Sequence, residues 1–370
     1  MSKVQADRSG IDSLITELVR RGYEVLGPAV AGPAVTYRPI AAGDDLPRGV
    51  GSAQSAGHYR LTRRTDDCCF AYGPGVESLK RYLCPPLETL WVATRRNGAL
   101  HLEPTPTDHV RPVAVIGVRP CDLAAIARLD DVFRRGAVAD PFYAARRRAM
   151  FLVAANCTEP GDTCFCGSMH TGPAASAGFD LAITELSADR FIVQIGSQAG
   201  ADVMGAVAST PAPPTAIDEE RAMLARAAAH MGRDVDTDGL PQALAAAMSR
   251  PEWDDVARRC LACANCSMAC PTCFCHTIDD RTSLSGDRVE RERRWDSCFG
   301  ADFSYIHGGS VRSSVTARYR QFVTHKFSAW VEQFGTFGCV GCGRCITWCP
   351  AALDVTETLR RVTTAAAVRS

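Results

Sequence analysis

Nowhere in this 370-residue chain does an apolar run approach the ~20 residues that a bilayer-spanning helix needs, so no membrane span is expected. Neither sign of charge prevails. The 41 basic side chains face 41 acidic ones, which removes any global attraction to nucleic acid or to an anionic lipid surface. No G-x-G-x-x-G follows a strand pattern and no G-x-x-x-x-G-K-[ST] occurs, so the usual phosphate cradles of dinucleotide and nucleoside-triphosphate sites are missing. The opening "MSKVQADRSG" lacks the apolar core of a secretion signal, and a cytoplasmic, reducing setting is expected.

Against these absences stands one excess. Eighteen cysteines occur in a chain whose apolar share of 46% and charged share of 22% are those of an ordinary globular protein. In a short secreted chain they would suggest disulfides; in one this long they point to metal. They are also clustered. "CLACANCSMACPTCFC" at 260–275 places six cysteines in sixteen residues, and "CVGCGRCITWCP" at 339–350 repeats its first part with the same gaps.

Each run reads C-x-x-C-x-x-C-x-x-x-C-P. Three thiolates at three-residue steps can each take a different iron of one 4Fe–4S cube, while the fourth, displaced and followed by proline, ligates the other cube in two-cluster ferredoxins. That wiring expects Cys260, Cys263, Cys266 and Cys349 around a first cluster, and Cys339, Cys342, Cys345 and Cys270 around a second. Small residues between them (Ala262, Ala264, Gly341, Gly343) let the backbone fold tightly and aim N–H groups at sulfur. Zinc also uses C-x-x-C pairs, but as two pairs rather than two matching triplets. Arg344, inside the second triplet, is expected to raise the potential of its cluster.

A weaker pattern precedes these. "NCTEPGDTCFCG" contributes Cys157, Cys164 and Cys166, and "GVRPCDL" adds Cys121; both follow predicted strands at 113–118 and 149–157. These four thiols are candidates for a third 4Fe–4S cluster, or else inert buried cysteines. Cys273, Cys275 and Cys298 form a rival set for a third site. Cys68, Cys69 and Cys84 fit no pattern. Asp122 and His325 read as structural hydrogen-bonding residues rather than acid–base groups.

The rest of the chain supplies the frame. Residues 11–21 predict a helix burying Ile11, Leu14, Ile15 and Leu18; "YEVLGPAV" predicts a strand closed by Gly27 and Pro28. With further strands at about 180–186 and 190–195, residues 1–235 read as an α/β domain. The segment "STPAPPTAIDEE" at 209–220 reads as a linker or exposed loop. Residues 236–370 read as a mainly helical, two-cluster ferredoxin-like domain, with "RVERERRW" at 288–295 as a solvated helix face and "IHGGSVRSS" as a turn.

Taken together, "GVRPCDLAAI", "CFCGSMHTGP", the two cysteine runs, "RWDSCF" and "RYRQFVTHKF" resemble the beta subunit of cytoplasmic nickel–iron hydrogenases, also called sulfhydrogenases, from about residue 20 to 355. They are similar as well to the related A subunit of anaerobic sulfite reductase. The resemblance implies an electron-relaying iron–sulfur subunit without a catalytic centre of its own. Its expected partners are a gamma subunit binding FAD and NAD(P), an iron–sulfur small subunit and a nickel–iron large subunit. It also implies a third cluster, with Cys121, Cys157, Cys164 and Cys166 the best-matching positions. The alternatives are an electron-input subunit of a dissimilatory sulfite or sulfur reductase, a stand-alone iron–sulfur reductase, and a zinc-stabilised module.

Overall fold

The computed structural model describes residues 2–364; residue 1 and residues 365–370, the outer ends of the two expected segments, lie outside the described residues. The central element is an eight-stranded mixed sheet in the order Thr210–Pro211, Lys3–Ala6, Arg190–Ile195, Leu181–Ser187, Met150–Ala155, Val113–Val118, Glu24–Ala31, Ala34–Pro39. Its middle strands pair in parallel. Their side chains are almost all buried, as expected of parallel strands covered on both faces. One face packs on helix Arg8–Arg20 through Ile11, Leu14, Ile15 and Leu18. The other packs on helices Pro120–Phe133 and Pro141–Arg148.

Two predicted boundaries move. The strand expected to close at Gly27 and Pro28 runs through both, as Glu24–Ala31. Gly27 makes room for Ile40, whose Cδ1 would lie 2.3 Å from an added Cβ, and Pro28 lies past Leu26, where pairing with Val113–Val118 ends. The expected linker at 209–220 is ordered: Thr210–Pro211 pairs with Lys3–Ala6, and Pro214 opens helix Pro214–Ala229. Proline suits that position because the first turn of a helix needs no N–H donor.

The C-terminal segment is less helical than expected. Helices Leu240–Ala246, Glu252–Arg259, Val315–Thr324 and Val355–Thr364 surround the cysteine runs, but a hairpin interrupts them. His276–Thr282 and Arg288–Trp295 pair with each other, and the latter pairs with Leu87–Arg96, which pairs with Ala99–Pro104. "RVERERRW" is therefore a strand, not a solvated helix face. Its charges serve cross-strand contacts: Arg291 pairs with Asp280 at 2.6 Å, and Arg293 bridges the buried Glu88 and Asp140. One sheet thus joins the segments before and after residue 235, and so does one core. Phe165 and Met169 pack with Trp253, Tyr319, Phe322 and Phe327. The paired glycines at 308–309 turn a short hairpin, as predicted.

Candidate metal centre

The two runs fold alike because their backbone demands are alike. In each, the second residue after the first cysteine and the residue after the second cysteine take left-handed φ: Ala262 at 50° and Ala264 at 65°, Gly341 at 64° and Gly343 at 71°. The turns bring an N–H back onto sulfur, Ala262 onto Cys260 and Gly341 onto Cys339, both at 3.4 Å. Each run then enters a short helix, Asn265–Ala269 or Arg344–Thr347, that carries its third cysteine. Asn265 donates its side-chain amide to the Trp348 carbonyl, tying one run to the other.

The sulfurs face two cavities. The first is lined by Cys260, Cys263, Cys266, Cys345 and Cys349, with Leu261, Phe299, Tyr319 and Leu353 among its apolar walls. The second is lined by Cys270, Cys339, Cys342 and Cys345, with Phe165, Phe322, Phe327 and Lys326. Cys345, Phe322 and Val355 line both, so the cavities are neighbours. Cys349 thus faces the 260s run, and Cys270 faces the 339s run. Burial pushes the Cys339 thiol up to about 12, and Cys345 and Cys266 are raised for the same reason. Apolar pockets lined by such thiols suit a metal–sulfur centre, which holds them as thiolates.

Lys326 is the clearest electrostatic feature of the second cavity. It is 5% exposed, and its Nζ donates to Thr272 Oγ1 at 2.9 Å, while that hydroxyl lies 3.3 Å from Cys270 Sγ. Burial opposes its charge, yet the sulfurs of Cys270, Cys273 and Cys339 more than offset this and hold its pKa well above the usual lysine value. A buried ammonium without a carboxylate partner calls for an anion, and anionic sulfur is what faces it. Arg344 differs. Its guanidinium is also buried, but it grips Asp122 with two bonds of 2.8 Å and Gly75 O at 2.8 Å. The charge expected to act on the second site is compensated by the residue beside Cys121. Lys80, also buried, donates to Ser267 O and Met268 O and lies 4.1 Å over the Trp295 ring.

Cys121, Cys157, Cys164 and Cys166 are all buried. Cys121 and Cys166 pack together with Cys342 of the second site, and Cys164 Sγ approaches Cys342 O at 3.8 Å. Burial pushes the Cys164 thiol up to about 12. Arg119 is 2% exposed; it hydrogen-bonds Phe70 O and Tyr72 O and lies 3.6 Å from Cys157 Sγ, while its Nε has no partner. Cys121 lies in the first turn of its helix rather than in a loop. Of the rival set, Cys273 lies beside Cys270, and Cys275 lies beside Cys298. Cys69 belongs to the sheet core. His325 packs between Phe274 and Trp330, with burial lowering it to about 4. Among the described residues no three Cys, His, Asp or Glu side chains are arranged to hold a single metal ion. Zinc would need its ligands converged at about 2.3 Å; here they ring cavities instead.

Residues 259–353, which contain both runs, match a family described as the 4Fe-4S dicluster domain. Sulfhydrogenase 2 subunit beta of Pyrococcus furiosus is 32% identical over 270 residues, covering 70% of this chain and 77% of that protein. The chain belongs to the sulfhydrogenase beta-subunit family. No solved structure gives a significant match. In this beta-subunit homologue the dicluster match supports 4Fe–4S clusters as the cofactors, and the all-sulfur donors and apolar cavities fit them. No helix among the described residues is long and apolar enough to cross a membrane.

Lys326, Lys80, Arg119 and Thr272 are functional neighbours that the sequence reading passed over. For Lys326 a local signal existed: it follows Phe322 by four residues, and its Nζ lies 5.6 Å from the centre of that ring.

Proposed function

We propose that this chain is the iron–sulfur electron-transfer subunit of a hydrogenase-type complex. Cys260, Cys263, Cys266 and Cys349 hold one 4Fe–4S cluster, Cys339, Cys342, Cys345 and Cys270 a second, and Cys121, Cys157, Cys164 and Cys166 a third. Bound there, the clusters take up and release single electrons. The chain's own residues supply the thiolates, exclude water with Phe165, Phe322, Tyr319 and Phe327, and place positive charge beside the sulfurs through Lys326 and Arg119. Residues 1–235 carry the third site on an α/β frame, and residues 236–370 carry the other two.

The observation that carries this reading is the continuity of sulfur: two cavities share Cys345, and Cys342 of the second packs against Cys121 and Cys166. Neighbouring sites joined in this way through their cysteines suit a relay. The partners that fit are a flavin- and NAD(P)-binding gamma subunit at one end, and an iron–sulfur small subunit with a nickel–iron large subunit at the other. The setting is a reducing one such as the cytoplasm. Iron and sulfide analysis of the full chain purified anaerobically tests the cluster count: about twelve irons is expected, and about eight removes the third site. Affinity purification under anaerobic conditions tests the complex. Recovery of a nickel protein supports it, whereas recovery of a sirohaem protein, or sulfite reduction by the chain alone, turns it toward the reductase alternatives.

A further inference from the structure

Cys273, Cys275 and Cys298 serve none of the proposed clusters, and the last two lie beside each other. Cys275 immediately precedes the strand His276–Thr282, and Cys298 follows the strand Arg288–Trp295 by three residues. The hairpin register pairs His276 with Trp295, and Asp296 N donates to Cys275 O at 2.9 Å, so the two strand ends are pinned together. That closure brings the Cys275 and Cys298 side chains next to one another. Both are half-buried, so a small molecule can reach them, unlike the enclosed thiols of the third set.

We infer that Cys275 and Cys298 form a redox-active dithiol that exchanges with small disulfides. The two thiols are not equivalent. Cys275 sulfur accepts from both the Cys298 thiol and the Cys298 backbone N–H and lies in the field of Lys326, and its pKa is lowered. Cys298 is raised, first by that same hydrogen bond. Cys275 is the attacking sulfur. Its thiolate displaces one thiolate from a disulfide RSSR to give a mixed disulfide; Cys298, losing its proton, then displaces the second. One protein S–S bond forms, one substrate S–S bond breaks, and two RSH leave with the two protons of the dithiol. Excess thiol runs the same steps backwards. The closed bridge would join the two ends of the hairpin, beside the wall that carries Cys266.

The test uses the full chain with its clusters, held anaerobically in glutathione buffers from reducing to oxidising, followed by alkylation and peptide mass spectrometry. A cross-link between Cys275 and Cys298 is expected on the oxidising side, reversed by added glutathione, with iron and sulfide content unchanged. In Cys298→Ser the cross-link disappears and Cys275 instead carries one glutathione. The proposal is overturned if both thiols stay open to alkylation across the whole range. It is equally overturned if both resist alkylation until iron is stripped and Cys298→Ser loses about four irons, because that makes them cluster ligands.

Discussion

Residues 260–271 and 339–350 share one spacing and one backbone trace, yet their surroundings differ at almost every point. The first run lies near solvent, with Cys263 exposed and Leu261 65% exposed, and its cavity wall carries no charged side chain. The second is wedged against the N-terminal half: Phe165 N donates to Gly341 O at 2.8 Å, and Thr171 Oγ1 to Val340 O at 2.6 Å. It also has Lys326 in its wall and the Arg344–Asp122 pair behind it. The motif therefore sets which sulfurs converge, while the wider fold sets access and charge. Ligand identity and electrostatic tuning are separately encoded.

The largest expected effect tests the exchange between arms. Cys349→Ser should remove the cluster of the 260s run, and Cys270→Ser that of the 339s run, each with loss of about four irons. Loss of the cluster on the same arm, read from spectra of the single variants, would break the proposed wiring.

Next comes the charge pair that distinguishes the second site. Asp122→Ala leaves Arg344 buried and unpaired, and should destabilise the chain by about 3–5 kcal/mol in chemical denaturation under anaerobic conditions. An unchanged midpoint would mean that water or another anion already serves Arg344.

The left-handed turns sharpen the contrast further. A Cβ on Gly341 would lie 2.5 Å from Phe165 O, and one on Gly343 2.5 Å from Thr163 O. Gly341→Ala should thus cost about 2–4 kcal/mol by combining crowding with left-handed strain. The first run already carries alanine at the matching position, so Ala262→Gly should change stability by no more than about 1 kcal/mol. Equal effects in the two runs would show that packing against the N-terminal half is not what demands glycine.

The smallest of these effects is on potential rather than on folding. Lys326→Met should shift the midpoint of the second cluster to more negative values by on the order of 100 mV, followed by spectroscopic redox titration. The first cluster should move less. Arg344 offers little of this leverage because Asp122 already neutralises it.

The cysteine spacing was legible because ligand loops are local: two residues separate each of the first three donors from the next, and glycine or alanine marks each tight turn. The central strands were legible for a similar reason, since "VAVIGV" and "MFLVAA" are apolar throughout. The hairpin at 276–295 was not. "RVERERRW" has no apolar periodicity of either kind, and its strand identity comes from Leu87–Arg96, about two hundred positions upstream, where Glu88 receives Arg293. Arg344 was noticed without its compensating carboxylate, because Asp122 lies on a helix more than two hundred residues away. Lys326 was overlooked beside His325, though its apolar helical neighbours marked it. Long-range pairing, not local propensity, decides the hairpin and the Arg344 contact.

The sheet that joins Arg288–Trp295 to Leu87–Arg96 also constrains the order of biogenesis. As the polypeptide leaves the ribosome, its early half emerges with an open strand edge that only much later sequence can cover. The cysteines of 260–275 appear before the hairpin that follows them and well before Cys349. Iron delivery to the two sites built from 260–275 and 339–350 therefore has to meet an almost complete nascent chain, and a truncated translation product would present a bare strand edge together with half-built sulfur sites.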